Sequence, residues 1–379
     1  MDQRFWHEIE GRPWAEVQAI QEAALRRQLA YLEGNSAFYR DKLRAARVQF
    51  DAVKTTADLA RVPLTLKTEL RESLAAQPPL GRHLAAPMSK VIQIQASSGT
   101  TGSPSYVGLT HHDIRVWCEM GARTMFANGL RPGDVCLHGF SMSKGFVGGL
   151  PMVQILQYMG VCDIPVGADA GVERLLRVCA DQRPRVITGT PYFVIYLAEQ
   201  APAVLGREAK TLGVRNISVG GEPGGGIPAV RASAEALWGA EVREMLGGTD
   251  LGCTYFGECE DKSGMHFCAQ EFILFEVIDP ETDAPLPLEA GVKGELVYTA
   301  IDREASPLLR FRTGDHVEVL GTSCRCGRTS PKIRCFGRTD DMLIVRGVNV
   351  FPSAIKDVVA RLEPRATGAI KVVVDFPGH

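Results

Sequence analysis

No stretch of this sequence stays apolar over the length of a membrane-spanning helix, and no internal repeat or low-complexity segment is visible. An excess of one charge is also missing. The formal net charge is -2 over 379 residues, which gives no reason to expect a nucleic acid or an anionic membrane as partner. Residues 1–6 lack the basic and then apolar pattern of a secretory signal peptide. We therefore expect a protein of the cytoplasm.

Hydrophobic residues make up 45% of the chain and charged residues 23%, the ordinary composition of a soluble globular protein. The length permits a large core and exceeds that of one simple domain. The ten cysteines are expected to stay reduced in the cytoplasm, so a cysteine cluster indicates a metal site rather than disulfide bonds. The residues do not decide the oligomeric state, and a homodimer stays open.

Short apolar segments alternate with helix-like segments through the first part of the chain. The predicted strands cover 91–96, 135–138, 161–164, 186–188 and 217–219, and the helical segments cover 14–47 and 114–126. This alternation predicts an α/β fold with parallel strands, and ligands usually bind at the carboxyl ends of such strands. Thr65 is predicted to cap a further helix, and β-rich hairpins are predicted from about Cys268 onward.

A Ser/Gly-rich segment, Ser-Ser-Gly-Thr-Thr-Gly-Ser-Pro at 97–104, follows the first predicted strand. Small hydroxyl residues and glycines let the backbone pass close to an anion, so amide N–H groups and hydroxyls can converge as a cradle for phosphate. Taken alone, the segment is equally compatible with a plain surface loop.

Five segments occur together in one order, at 97–104, 221–223, 246–250, 311–315 and 337–341. In this order and spacing they resemble the motifs of the acyl-adenylate-forming enzymes. Two further segments, 35–40 and 346–352, resemble the phenylacetate–CoA ligase branch of that superfamily. The resemblance covers essentially the whole chain.

The resemblance implies a division into two domains. Residues 1–339 would form a large N-terminal adenylation domain, with α/β sheets and a β-rich subdomain. Residues 340–379 would be the start of a truncated small α+β C-terminal domain, with the hinge near Asp340 and the remainder missing.

The resemblance also implies two half-reactions, with ATP, Mg²⁺ and coenzyme A as cofactors. A carboxylate attacks the α-phosphorus of ATP to give an acyl-adenylate and pyrophosphate, and the thiol of coenzyme A then displaces AMP. The first step needs neutralised phosphate charge and in-line reactants rather than a strong base, because a carboxylic acid is already ionised at pH 7. Two alternatives stay open: transfer of the acyl group to a carrier-protein thiol or an amine, and a nucleotide-binding homologue that has lost catalysis.

The resemblance assigns nucleotide or coenzyme binding to Ser97, Ser98, Gly99, Thr100, Thr101, Gly102, Gly221, Glu222, Pro223, Gly247, Gly248, Asp315, Arg338 and Gly347. The 97–102 loop is similar to the binder of the β- and γ-phosphates, and 221–223 to the segment beside the adenine. Asp315 matches the acid that accepts both ribose hydroxyls, for which a carboxylate has two acceptor oxygens. Gly347 matches the place where the small domain meets the thiol channel.

Three residues match catalytic positions of the family. Thr249 would face the α-phosphate, Asp250 would coordinate Mg²⁺, and Arg338 would contact the ribose and a phosphate. Structural alternatives stay open, since Asp250 would also suit a helix N-cap and Asp315 a hairpin turn.

Three positions depart from the family pattern. Ser103 stands where lysine is common, Leu246 replaces a usual aromatic residue, and Asp250 replaces a usual glutamate. These departures support the hypothesis of a homologue without catalysis.

The resemblance places an acyl pocket around Phe140, Phe146, Tyr192, Gly220 and Gly221. The aromatic residues would form a flat apolar slot, which predicts a planar aromatic acid of the phenylacetate, benzoate or aminobenzoate (anthranilate) type. Core packing is the alternative for each aromatic residue. The polar residues that would suit a ring substituent are His138, Ser141, Ser143 and Lys144.

Cysteine and histidine residues recur at 253–268 and at 324–326. Some members of the branch bind Zn²⁺ with a similar set, on which Cys259, His266, Cys324 and Cys326 match. Such a set would make a closed tetrahedral site without room for water, and therefore a structural one. Cys253 or Cys268 could replace one of the four ligands, and unliganded buried thiols are the alternative to a metal site.

Overall fold

The structure is a computed structural model that describes residues 4–96, 105–143 and 145–339, and beyond them only 343–345, 348–350, 355, 358, 359 and 370. The α-helices of the described residues are α1 (Trp14–Asn35), α2 (Ala37–Ala45), α3 (Lys67–Ala76), α4 (His111–Ala127), α5 (Leu150–Tyr158), α6 (Val172–Gln182), α7 (Pro191–Leu205) and α8 (Pro228–Trp238). Short 3₁₀ helices cover Glu8–Gly11, Phe50–Ala52, Ala57–Arg61, Met88–Lys90, Ala168–Ala170 and Ala209–Leu212.

The strands of the described residues follow the order of the chain. They are β1 (Gln93–Ala96), β2 (Tyr106–Leu109), β3 (Val135–His138), β4 (Cys162–Ile164), β5 (Val186–Gly189), β6 (Asn216–Val219), β7 (Glu241–Gly248), β8 (Gly252–Glu258), β9 (Met265–Phe267), β10 (Ile273–Ile278), β11 (Pro285–Leu286), β12 (Lys293–Ala300), β13 (Phe311–Val319), β14 (Lys332–Arg338), β15 (Leu343–Val345) and β16 (Val348–Val350).

Twelve of these strands form one sheet in the order β11-β10-β12-β13-β14-β9-β8-β7-β6-β5-β3-β4. The strands β4, β3, β5, β6 and β7 are parallel, whereas β8 pairs antiparallel with β7 and begins the antiparallel part. The predicted α/β class with parallel strands is confirmed, but the predicted strand at 91–96 is not one of the parallel strands: β1 pairs antiparallel with β2 in a separate two-stranded sheet. The prediction that the β-rich part begins at about Cys268 is wrong, since the antiparallel part already begins at β8. The sequence does not reveal β8, because this strand is buried along its whole length and lacks the alternation that marks a half-exposed strand.

Helices cover both faces of the parallel strands. Val186 packs in the core beneath α4 and α5, while its neighbour Ile187 packs in the core formed with α6, α7 and α8. Successive residues of a strand point to opposite faces, so the two cores lie on the two sides of β5. Trp238 of α8 closes the second core, and its indole N–H donates to the Val194 carbonyl at 2.8 Å.

The N-terminal helices pack on the antiparallel part of the sheet, and Thr65 joins them to β13. The Thr65 N–H donates to the Arg310 carbonyl at 2.8 Å, and the Arg312 N–H donates to the Thr65 carbonyl at 3.0 Å. The predicted helix-capping role of Thr65 is wrong: Leu66 is the N-cap of α3, and its N–H donates to Glu69 at 2.7 Å. The long-range pairing with β13 outweighs the local capping preference.

Within the described residues, no helix combines the length and the apolar character that crossing a membrane requires.

Candidate active site

A cavity of about 300 Å³ lies where the parallel strands β3, β6 and β7 end, beside β13 and β14. The predicted site residues that line it are Phe140, Phe146, Gly220, Gly221, Glu222, Pro223, Gly247, Gly248, Thr249, Asp250, Asp315 and Arg338. Residues without an assigned role in the sequence also line it, namely Lys67, Val147, Gly148, Met152, Met245, Leu251, Cys253, Tyr255, Phe311 and Thr313.

Some predicted residues are not among those that line the cavity. Tyr192 lies beside the lining, where its backbone N–H donates to Glu222 at 3.4 Å and its ring packs near Gly224. The following predicted residues lie outside the described part of the chain: Ser97, Ser98, Gly99, Thr100, Thr101, Gly102, Lys144, Asp340 and Gly347.

The turn between β7 and β8 brings Thr249 and Asp250 to the cavity. Gly247 approaches β8 so closely that a Cβ atom there would lie 1.9 Å from the Cys253 carbonyl oxygen. The Leu251 N–H donates to the Gly248 carbonyl at 3.0 Å and closes the turn. Asp250 therefore lies in a strand-to-strand turn and is not a helix N-cap.

The pKa of Asp250 is raised by burial, and the positive charges of Lys67, Arg303 and Arg338 act against that rise. These cations favour the ionised form of Asp250, and a carboxylate supplies oxygen ligands of the kind that Mg²⁺ prefers. Lys67 supplies this charge from the first turn of α3, next to the Thr65 bridge to β13.

Asp315 and Arg338 face each other on the neighbouring strands β13 and β14. The Arg338 Nη1 atom donates to Asp315 Oδ1 at 2.5 Å, and Nη2 donates to the Thr313 carbonyl at 3.1 Å. Burial raises the pKa of Asp315, while Arg338 and Thr313 lower it. Asp315 therefore lies within a strand rather than in a hairpin turn, and it is oriented by a fixed guanidinium group.

Apolar side chains form the end of the cavity below β3. Phe140 is buried and packs against Phe146 with 6.3 Å between the ring centroids. His138 lies behind Phe140 rather than in the lining, and burial lowers its pKa to about 4. The hydroxyls of Ser141 and Ser143 donate to Asp169, so they hold their own loop together.

Two pairs of residues about 60 residues apart in the chain converge at the far end of β8, at β9 and at the segment before β14. They are Cys259 with His266, and Cys324 with Cys326. Their ligand atoms all lie within 4.8 Å of one another, with 3.5 Å between Cys259 Sγ and Cys324 Sγ and 3.4 Å between Cys326 Sγ and His266 Nε2. Ligands at about 2.3 Å from one ion stand about 3.8 Å apart in a tetrahedron. The three sulfurs and one imidazole nitrogen therefore fit Zn²⁺.

Polar groups also surround these four ligands. Asp261 accepts from Cys324 Sγ at 3.2 Å and from the Arg325 N–H at 3.1 Å. The Arg328 N–H points at Cys326 Sγ at 3.5 Å. The N–H donor of Arg328 orients Cys326 and stabilises thiolate charge on it, while Asp261 fixes the segment that carries Cys324 through the Arg325 N–H.

A family model described as AMP-binding enzyme matches residues 19–300. The chain belongs to the AMP-binding enzyme family. A phenylacetate–coenzyme A ligase of Thermus thermophilus is 36% identical to it over 374 residues, which are 98% of this chain and 81% of that protein. A phenylacetate–coenzyme A ligase of Aromatoleum evansii is 32% identical over 374 residues, with the same coverage of 98% and 81%.

Among solved structures, this AMP-binding enzyme is similar to a 2-hydroxyisobutyryl-CoA ligase in the postadenylation state. The TM-score is 0.89 at 30% identity, over 96% of this chain and 76% of that chain. The predicted membership among the phenylacetate–CoA ligase-like, adenylate-forming enzymes is confirmed by these comparisons.

Proposed function

We propose that this AMP-binding enzyme uses ATP and Mg²⁺ to join a carboxylic acid to AMP and then transfers the acyl group to coenzyme A. The names of the relatives support the proposal, since all are ligases of coenzyme A with an organic acid. The observation that carries it is the convergence of Thr249, Asp250, Asp315 and Arg338 on one cavity with an apolar end.

Each polar residue of the cavity has a task that its surroundings support. Asp315, held by Arg338, would accept the ribose hydroxyls, and the 221–223 segment would pack beside the adenine. Asp250 would hold the Mg²⁺, which would supply charge neutralisation for the phosphates. Thr249, buried beside it, would donate its hydroxyl to the α-phosphate.

Lys67 completes this set, although the sequence pattern does not point to it. The reaction brings a carboxylate towards a triphosphate, so two anions must approach each other in a partly dry cavity. A lysine held at the rim by the Thr65 bridge would lower that repulsion. It would also compensate for Ser103, which stands where the family commonly has lysine.

The apolar end supports an aromatic acid of the phenylacetate, benzoate or anthranilate type. Its wall consists of Phe140, Phe146, Met152 and Met245, which offer flat and adaptable apolar surface. An aliphatic acid is the competing substrate class, because one similar structure is a ligase of 2-hydroxyisobutyrate.

We further propose that Cys259, His266, Cys324 and Cys326 bind one structural Zn²⁺. The four ligands would complete a tetrahedron and leave no position for a substrate or water. The ion would fasten the end of β8 to the segment that leads into β14.

The proposed function is tested by incubating the protein with ATP, Mg²⁺, coenzyme A and single acids, followed by mass analysis. The acids are phenylacetate, benzoate, anthranilate and 2-hydroxyisobutyrate. We expect an aromatic acid to give its CoA ester and AMP in equal amounts. A CoA ester with 2-hydroxyisobutyrate alone would contradict the aromatic specificity, and ATP binding without AMP formation from any acid would contradict the ligase reaction.

Acid-dependent release of pyrophosphate without a CoA ester would favour the alternative acceptor, a carrier-protein thiol or an amine. The acyl carrier protein, the homodimer, the cytoplasmic location and the domain boundary at 339 stay predictions of the sequence.

A further inference from the structure

The segment that would lie beside the adenine is packed closely against the sheet. We name residues 221–226 the nucleotide loop; its first half lines the cavity and its second half turns into α8. A Cβ atom on Gly225 would lie 2.6 Å from Val219 Cγ2, and one on Gly226 would lie 2.5 Å from Glu244 Oε2. The second half of the loop is thus pressed against β6 and β7 without space for side chains.

Arg231 holds this loop from the first turns of α8. Its Nε atom donates to the Gly225 carbonyl at 2.8 Å, and its Nη2 atom donates to Glu258 Oε2 at 2.6 Å. The Arg231 and Glu258 side chains are 14% and 4% exposed, so the ion pair is largely removed from water. Water therefore screens it little, and its geometry is well defined.

Glu258 is itself fixed on the sheet. The same Oε2 atom accepts the Glu244 N–H at 2.9 Å, which ties the end of β8 to β7. Glu258 is also followed directly by the metal-ligand candidate Cys259. One guanidinium group therefore connects the nucleotide loop, the central sheet and the strand that ends at the metal-ligand cluster.

We propose that Arg231 is a positioning residue that holds the nucleotide loop in the conformation that accepts the adenine; the proposal rests on the proposed function. Arg231 does not line the cavity, and it acts through the Gly225 carbonyl. Lysine would not replace it, because a single ammonium group on a flexible stem lacks the planar fork that binds two partners at once.

The test compares four variants with the wild-type protein: Arg231→Met, Arg231→Lys, the double variant Arg231→Met with Glu258→Gln, and Arg177→Met. Arg177 forms an exposed ion pair on α6 and is the matched control. The double variant removes both charges, so it leaves no unpaired carboxylate in the buried position. The measurements are the melting temperature, the Kd for AMP by calorimetry, and the KM values for ATP and for the acid.

We expect loss of the Arg231 hydrogen bonds to raise the Kd for AMP and the KM for ATP about tenfold, with little change in the KM for the acid. The double variant should regain the melting temperature of the wild type but keep the raised Kd for AMP. If Arg231 had only a structural role, the two quantities would recover together. A folded double variant with the wild-type Kd for AMP would overturn the proposal. Absence of AMP binding by the wild-type protein would instead contradict the proposed function, and the proposal with it.

Discussion

Arg338 donates a hydrogen bond to Asp315 across two neighbouring strands, with 2.5 Å between Nη1 and Oδ1. The second Arg338 nitrogen is held by the Thr313 carbonyl, and the Asp315 N–H is held by the Thr313 hydroxyl at 3.0 Å. The carboxylate is therefore oriented at the cavity before any nucleotide arrives. Such preorganisation lowers the cost of ordering side chains when a ligand binds.

Replacing Asp315 should weaken nucleotide binding. In the Asp315→Ala variant we expect the Kd for AMP to rise by about tenfold or more, because a charged acceptor for the ribose hydroxyls is lost. Calorimetry with AMP measures the effect. Asp283→Ala is the control, since Asp283 forms a more exposed ion pair with Arg312 on the same strand. Equal AMP affinity of Asp315→Ala and wild type would contradict the role of Asp315 as the acceptor of the ribose hydroxyls.

Replacing Lys67 should slow the adenylation step and change its dependence on pH. Lys67 lowers the pKa of Asp250, so Lys67→Met should raise that pKa further and move the acid limb of the activity profile to higher pH. We expect kcat to fall about tenfold or more through loss of the charge, and Lys67→Arg to recover part of it. Pyrophosphate exchange measured as a function of pH gives both the rate of adenylation and the position of the acid limb.

The exposed Lys90→Met variant is the control for Lys67. An unchanged pH profile in Lys67→Met would show that this lysine does not act on Asp250.

The sequence predicts the strands with continuous apolar runs and the site residues that lie in short glycine-containing motifs. Strand β3 covers the predicted residues 135–138, and Thr249 and Asp250 reach the cavity because one local turn carries both. These features depend on short-range patterns, which a single sequence displays.

Lys67 and Tyr255 could not be predicted as cavity residues in the same way. Lys67 reaches the cavity only because Thr65 bridges to Phe311, about 245 residues later in the chain. Tyr255 lies on β8, which is buried along its length and shows no alternation. For Ser141 and Ser143 the sequence suggests a contact with a ring substituent, but their hydroxyls donate to Asp169 instead. No local pattern indicates Asp169 as their partner.

Metal analysis tests the zinc proposal. We expect about one Zn²⁺ per chain, and loss of the ion should lower the melting temperature because the end of β8 loses its attachment. Cys326→Ser should reduce the zinc content, whereas the exposed Cys162→Ser should not. Protein with fully reduced thiols and no bound metal would contradict the assignment.

His83 should make the fold sensitive to mild acid. Its ring contacts the Ser73 hydroxyl at 2.9 Å, and burial lowers its pKa to about 4 from the ordinary 6.5. Below pH 6.5 His83 binds a proton in the unfolded chain but stays neutral in the folded protein. The contribution of neutral His83 to the free energy of unfolding is therefore fully present above pH 6.5 and decreases as the pH falls towards 4. The loss at pH 4 is on the order of 3 kcal/mol.

Denaturant unfolding of wild type and His83→Gln between pH 7 and pH 4 measures this contribution. The difference between the two curves separates His83 from other buried groups, and the exposed His111→Gln is the control. Parallel curves for wild type and His83→Gln would show that His83 does not resist protonation.

The most direct test of the account is acid-dependent exchange of labelled pyrophosphate into ATP, measured without coenzyme A. The account predicts exchange with at least one aromatic acid, a strong decrease in Asp250→Asn and Asp315→Ala, and no decrease in Arg177→Met. Binding of ATP without exchange for any acid would contradict the claim that this cavity joins a carboxylate to AMP.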